Sequence, residues 1–145
     1  MKVFIVGGIL LGMAVLLTAG AGPGAVTFID HTKVATALAK GETMIRQSDL
    51  TVLGSHRTGV GQAEVHDKET DVFYVTEGDA TFVTGGTVVA GKTTEPGQIR
   101  GTSINGGENH HLAKGDVMVI PAGTPHWFKE VPKSITYYVV KVIKP

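Results

Sequence analysis

Residues 115–128, GDVMVIPAGTPHWF, combine an alternating apolar run with a rigid turn and a histidine. Pro121 and Pro125 each restrict one backbone angle, and Gly123 allows a conformation that other residues avoid. The turn therefore reverses the chain tightly and delivers His126 at a defined position at the start of a new strand. A histidine held in this way is either a structural residue or a ligand that points at a shared site.

The strand pattern of this stretch recurs along most of the chain. From residue 42 onward, short segments rich in valine, isoleucine, threonine and aromatic residues are separated by glycine, proline, aspartate and asparagine. This pattern predicts an all-β fold, an antiparallel sandwich or barrel. One short helix is predicted before it, because FIDHTKVATALAKG offers Asp30 or Thr32 as a cap and Gly41 as a stop.

One polar, glycine-rich segment, residues 91–115, departs from the strand pattern. Segments of that length without strands are usually lids, binding loops or disordered. The sequence leaves a lid and a disordered or decorative insertion as alternatives of equal weight. His110 and His111 lie in this segment and, being adjacent, face opposite ways in an extended chain, so we expect them on the surface.

Residues 1–21 predict a secretory signal peptide. One lysine precedes an uncharged apolar run that ends in Ala19, Gly20 and Ala21, a small-x-small cleavage pattern. The alternative is an uncleaved anchor, since the run is long enough to span a bilayer. Cleavage after Ala21 would leave residues 22–145 as a single domain that is periplasmic or secreted and no longer attached to a membrane.

The composition narrows the classes of function. The 145 residues carry 13 basic and 13 acidic side chains and no cysteine. This balance gives no indication of a nucleic-acid partner. The lack of cysteine excludes disulfides and thiolate chemistry within the chain.

A second stretch, GQAEVHDKETDVFYVTEG at residues 61–78, contains further ligand-type side chains. Side chains two apart share one face of a strand, so Glu64 and His66 point the same way. Asp71 begins the next strand after a short turn and can lie across from His66. With His126, two imidazoles and two carboxylates would converge, a donor set that suits iron, manganese, zinc or nickel.

Each carboxylate also has a structural explanation. Glu64 could turn its carboxylate to solvent at the mouth of a barrel, and Asp71 could cap the turn before it. An interior carboxylate with neither a metal nor a partner is unfavourable, however, and two such groups beside two histidines are difficult to place in an empty pocket. The pattern therefore favours a metal site.

The turn of the opening stretch resembles the second motif of the cupin family. That motif reads Gly, five residues, Pro, any residue, Gly, two residues, His, and it is matched by Gly115, Pro121, Gly123 and His126. The resemblance implies an antiparallel jelly-roll barrel with its ligand site inside, an architecture that the strand pattern also allows. A homodimer is an expectation from the family alone.

The stretch around His66 is similar to the first cupin motif, with substitutions. Glu64 stands at the first histidine position, Asp71 replaces the usual glutamate, and Gly78 falls on the closing glycine. The resemblance implies that Glu64, His66, Asp71 and His126 bind a divalent transition metal. With two carboxylates bound, the site would be formally neutral. A carboxylate that does not bind the ion, Glu64 above all, would be free to act as a general base.

Three further residues are candidates for the wall of a substrate pocket. Phe73 and Phe128 fall in phase with the proposed ligands, although packing in the core explains them equally well. Arg57, next to His56, either presents a cation to a substrate carboxylate or lies in an exposed turn, and we favour the turn.

Two functions are consistent with these residues. By resemblance, the first is a metal-dependent enzyme that acts on a small organic molecule as an oxygenase, decarboxylase, lyase or isomerase. The second is a non-catalytic module that binds a small ligand and retains a degenerate metal site. The fold does not separate these functions.

Overall fold

The computed structural model describes residues 24–144, so the predicted signal peptide lies outside the described residues. Within them the chain forms the helix α1 (His31–Lys40) and twelve strands. No helix in this range is long and apolar enough to cross a bilayer. The strands are β1 (Thr43–Arg46), β2 (Leu50–Arg57), β3 (Ala63–His66), β4 (Glu69–Thr84), β5 (Thr87–Val89), β6 (Lys92–Glu95), β7 (Gln98–Gly101), β8 (Ser103–Asn105), β9 (Glu108–Ala113), β10 (Val117–Ile120), β11 (His126–Glu130) and β12 (Ile135–Ile143).

Two antiparallel sheets share one long strand. The first sheet has the order β1-β2-β12-β4-β10, and the second has the order β6-β7-β3-β11-β4-β9. Strand β4 belongs to both, because residues 69–78 pair with β12 and residues 79–84 pair with β9. The sheets curl around one interior, which confirms the predicted all-β, antiparallel jelly-roll barrel.

Strand β4 passes from one sheet to the other at Gly78. This residue has a φ of +78°, and a Cβ atom here would overlap the carbonyl oxygen of Ser134. The same oxygen accepts a hydrogen bond from the Asp79 N–H at 3.3 Å. Residues 69–84 therefore form one strand with a glycine corner.

The interior of the barrel holds the main hydrophobic core. Its aromatic rings pack with centroids 4.6 to 6.1 Å apart, at separations typical of stabilising aromatic pairs. The buried members are Phe73, Val75, Ala80, Phe82, Leu112, Ile120, Phe128, Ile135, Tyr137 and Val139.

Helix α1 covers the outer face of β2. The Asp30 carboxylate caps it by accepting two backbone N–H groups of the first turn, and Gly41 ends it with a φ of +72°, as predicted. The buried Ala37 lies against Gly54, where any side chain would collide with the helix backbone. These two small residues let the helix approach the sheet closely.

The prediction of a loop at residues 91–115 is wrong. These residues form β6, β7 and β9, which widen the second sheet, and β8, which pairs with β5 in a separate two-stranded sheet. Ile104 of β8 packs against Ala63 and Val83 in a second small core. The pattern was missed because β6 exposes all four of its side chains and therefore lacks apolar alternation.

The corner at Gly78 predicts a specific loss of stability. Gly78→Ala should lower the free energy of unfolding by at least about 3 kcal/mol, because the new methyl group meets backbone as well as adopting a positive φ. Gly85→Ala is the matched control, since Gly85 has a φ of +73° but no heavy atom near its Cβ position, and should lose about 1 kcal/mol. Equal losses in urea unfolding would contradict this explanation of the corner.

Candidate metal centre

The four candidate ligands converge at one place inside the barrel. Register pairs His126 of β11 with Glu64 of β3, and His66 follows two residues later on the same face. The Glu64 Oε2 atom lies 3.3 Å from His66 Nε2 and 3.7 Å from His126 Nε2. The Asp71 Oδ2 atom lies 3.6 and 3.9 Å from the same two nitrogen atoms.

Asp71 reaches this place from the opposite sheet. The prediction that it lies across from His66 on an adjacent strand is wrong, because β7 and β11 already occupy both edges of β3. Around Asp71, β4 pairs with β10 and β12 instead. The cluster therefore joins the two sheets across the interior, with one carboxylate on each side.

The turn before β11 is fixed by backbone contacts as well as by its prolines. Gly123 has a φ of +80°, which agrees with the conformation predicted for it. Its N–H donates to the His66 carbonyl oxygen at 2.7 Å, and the Ala122 N–H donates to Thr70 Oγ1 at 3.4 Å. The turn is thus bound to the end of β3, which sets the distance between the two histidines.

Hydrogen bonds on the far side of each imidazole determine where its proton lies. His66 Nδ1 lies 2.5 Å from Gln98 Oε1, and His126 Nδ1 lies 3.0 Å from the Thr124 carbonyl oxygen. The Gln98 amide nitrogen donates to Glu69 at 3.3 Å, which turns its oxygen toward His66. Since carbonyl oxygens only accept, each Nδ1 carries a hydrogen, and the Nε2 of a neutral ring presents a lone pair.

A cation between the two Nε2 atoms and the carboxylates would make this cluster more stable. His66 Nε2 is buried and has no hydrogen-bond partner. Burial lowers the pKa of His66, but its contact with Glu64 and the charge of Asp71 raise that pKa above its ordinary value. A proton or a metal ion therefore stabilises this arrangement.

Arg100 orients Glu64, and sequence analysis did not identify it. The two residues are cross-strand partners on β7 and β3, and the guanidinium forms an ion pair with Glu64 Oε1 while Oε2 faces the histidines. Burial raises the pKa of Glu64, but its contacts with His126 and His66 and the charge of Arg100 outweigh burial and hold that pKa well below its ordinary value. Glu64 is therefore ionised and a weak base, which favours the ligand role over the general-base role.

Lys141 holds Asp71 in the same way. Their strands pair them directly, and Lys141 Nζ lies 2.9 and 3.0 Å from the two Asp71 carboxylate oxygens and 2.9 Å from Glu69 Oε2. Lys141 is the one charged residue in the apolar run ITYYVVKVI, a signal that could have been noticed. His66, Glu69 and Asp71 also lie close enough to share an ion, but the ammonium group already occupies both carboxylates.

Three residues remain as the best candidates for metal ligands. Glu64, His66 and His126 offer ligand atoms that all lie within 4.8 Å of one another. Two imidazoles and one carboxylate suit iron, manganese, zinc or nickel. The residues present therefore fit the metal that the cupin resemblance implies.

A cavity of about 150 Å³ lies beside the cluster. Arg57 lines it from β2, so the favoured prediction of an exposed turn is wrong for this residue. Phe73 and Phe128 form part of its apolar wall and also belong to the core. The full lining is Leu53, Ser55, Arg57, Gln62, Glu64, Asp71, Phe73, His126, Trp127, Phe128, Tyr137, Val139 and Lys141.

Two of the other histidines of the described chain make contacts away from the cluster. His56 is exposed on β2, and its Nδ1 lies 2.8 Å from Thr136 Oγ1. His110 is half-buried with its Nε2 2.8 Å from Thr84 Oγ1, whereas His111 is exposed as predicted.

Comparison with known proteins agrees with the fold. The family model described as Cupin matches residues 24–142. This chain is a cupin. Cupins commonly bind a metal, and this cupin has a cluster of Glu64, His66 and His126 inside its barrel. No curated protein matches the sequence.

Solved structures similar to this cupin share its fold at low identity. BH2720 from Bacillus halodurans is 15% identical with a TM-score of 0.57, over 85% of this chain and 86% of its own. KdgF from Halomonas sp. is 17% identical with a TM-score of 0.52, over 72% and 77%. A Klebsiella pneumoniae protein with a double-stranded beta-helix domain is 16% identical with a TM-score of 0.50, over 71% and 70%.

The ion pair of Lys141 predicts a loss of stability in the metal-free protein. Lys141→Met should lower the free energy of unfolding by about 3 kcal/mol, because Asp71 is only 3% exposed and would keep an uncompensated charge. Zinc should then stabilise the variant more than the parent, since Asp71 becomes available as a ligand. Lys129→Met, at an exposed position on β11, is the control. Equal melting of all three proteins without metal would contradict the role of Lys141.

Proposed function

We propose that this cupin binds one divalent transition metal ion through Glu64, His66 and His126. The supporting observation is that both histidines donate from Nδ1 on one side and place Nε2 within 3.7 Å of the same carboxylate oxygen on the other. Metal-ligating histidines commonly have this arrangement, because the bond at the outer nitrogen fixes the tautomer. Arg100 has a similar positioning role for Glu64.

The charge around the proposed ion differs from the formally neutral site expected for two bound carboxylates. Lys141 neutralises Asp71 and Arg100 neutralises Glu64, while Glu69 adds one further negative charge. With neutral histidines, a divalent ion would leave the cluster with one net positive charge. The two ion pairs therefore leave the metal-bound cluster with a positive charge that would attract an anionic ligand.

We propose that this cupin is an enzyme that acts on a small organic molecule. A bound metal would polarise a substrate oxygen or acidify a bound water. Glu64 and His126 lie in the cavity wall, so a molecule in the cavity would be placed beside the ligands. Phe73 and Phe128 would exclude water from the apolar part of that molecule. The reaction class remains oxygenation, decarboxylation, elimination or isomerisation.

A non-catalytic ligand-binding module is the second candidate. Lys141 and Arg100 favour it, because both carboxylates of the cluster already have cationic partners. Metal content of the purified protein separates the candidates. Redox-active metal at one per chain supports an oxygenase, zinc or nickel supports a lyase or isomerase, and substoichiometric metal supports the module.

Export and dimer formation are further proposals. The small-x-small site at Ala21 supports cleavage and a periplasmic or secreted location. A homodimer is supported by the family and by Val117 and Val119 on the edge strand β10, which are 64% and 59% exposed.

Loss of either histidine should abolish tight metal binding. We expect His66→Ala and His126→Ala each to weaken zinc and nickel binding by at least about 100-fold, because each removes one of three ligands. The exposed His111→Ala variant is the control and should bind as the parent does. Calorimetric titration of the four metal-free proteins measures this. Parental affinity in both buried-histidine variants would rule out the proposed site.

Glu64→His tests the carboxylate ligand. The change supplies a third imidazole, so nickel and zinc should bind about 10-fold more tightly, whereas Glu64→Gln should bind them more weakly. Azide should also bind the loaded Glu64→His protein more tightly, because the cluster gains a positive charge. Glu108→Gln on β9 is the control. Unchanged metal affinity in both Glu64 variants would remove this residue from the ligand set.

A further inference from the structure

Arg57 differs from the other charged residues in the cavity wall. Glu64 is paired with Arg100, and Asp71 is paired with Lys141. Within the part of the chain that the structure describes, no carboxylate forms an ion pair with Arg57. The cavity therefore contains one cation whose charge the protein itself does not compensate.

The guanidinium of Arg57 is also partly removed from water. Its Cζ atom lies 4.7 Å from the centroid of the Phe128 ring, and its Nε atom is buried without a hydrogen-bond partner. An aromatic face attracts a cation but does not replace the oxygen acceptors that guanidinium N–H groups require. Nε is thus a buried donor that lacks an acceptor, in a residue that lines the cavity.

We propose that Arg57 binds the carboxylate of a small monocarboxylic acid inside this cavity. The planar guanidinium matches the two oxygens of a carboxylate, and the apolar wall provided by Leu53, Phe73 and Val139 suits a short alkyl chain. A cavity of about 150 Å³ accommodates a molecule about the size of benzene. Acids of about three to six carbons therefore fit.

The neighbouring charges favour a monocarboxylate over a dianion such as phosphate. Glu64 and Asp71 also line the cavity but are already paired with Arg100 and Lys141, so Arg57 offers one uncompensated positive charge and a second negative charge on the ligand would have no partner. Carboxylate binding by Arg57 requires no metal. The inference rests on the proposed function only in identifying this acid as the substrate, and the two can therefore fail separately.

Trp127 provides a direct optical signal for the test. It is the single tryptophan of the chain, it lines the cavity, and its Nε1 donates to the Gly61 carbonyl oxygen at 2.8 Å. Sodium propionate is titrated into the metal-free protein at constant ionic strength while Trp127 fluorescence is recorded. Propionamide, phosphate and octanoate are titrated in parallel as the uncharged, dianionic and oversized probes.

We expect a saturable change with propionate and at least 10-fold weaker binding of the other three probes. Arg57→Gln should weaken propionate binding at least 10-fold, Arg57→Lys should retain part of it, and Arg46→Gln on the exposed edge strand β1 should match the parent. Ser55→Asp supplies a second test if Arg57→Gln does not fold. Ser55 also lines the cavity two residues before Arg57, so an internal carboxylate should abolish propionate binding.

Three results would overturn the proposal: no saturable binding of propionate by the parent, equal binding by folded Arg57→Gln, or equal binding of propionamide. Zinc titration of Arg57→Gln keeps the two proposals apart. Propionate binding that depends on Arg57 in a chain that binds no metal would remove the metal site and leave the carboxylate site. Metal binding without propionate binding would remove the carboxylate site and leave the metal site.

Discussion

Cations on neighbouring strands neutralise the carboxylates inside the barrel, and this pairing links the fold to the site. Asp71 is buried, Glu64 and Glu69 are partly buried, and cations from neighbouring strands hold all three carboxylates. Lys141 contacts Asp71 because the register of β12 on β4 places them opposite each other. Arg100 contacts Glu64 because the register of β7 on β3 does the same. A shift of one residue in either pair would turn the cation to the other face of its sheet and leave a carboxylate uncompensated. Register and electrostatics therefore stabilise each other.

The contacts of the carboxylate oxygens distinguish the residue that can bind a metal from the residue that is already paired with a cation. Lys141 contacts both oxygens of Asp71, whereas Arg100 forms its ion pair with Oε1 of Glu64 and Oε2 faces the two histidines. We infer that Glu64 is the carboxylate ligand and that Asp71 mainly anchors Lys141. This set has three residues, one fewer than the four that the motif positions imply. The ion pairs also make the cluster more positive with a metal bound, which is consistent with an anionic ligand beside Arg57.

The features that could be predicted from the sequence are those that depend on single residues. The cap at Asp30, the stop at Gly41 and the turn around Gly123 depend on the backbone preferences of single residues, and the structure has all three. Strands β6 to β9 were missed because polar side chains hide their period of two. The cations were missed for another reason. Lys141 is 70 residues from Asp71 in sequence, and only the register across two strands brings them together.

Anomalous X-ray diffraction at the zinc or nickel absorption edge tests the central claim most directly. Crystals of the protein equilibrated with one of these metals should show a single strong peak bonded to Glu64, His66 and His126, with Lys141 still on Asp71. A peak bonded to Asp71 with Lys141 displaced would contradict the division between ligand and counter-ion. The absence of a peak between the two histidines, in crystals that hold the metal elsewhere, would contradict the metal centre itself.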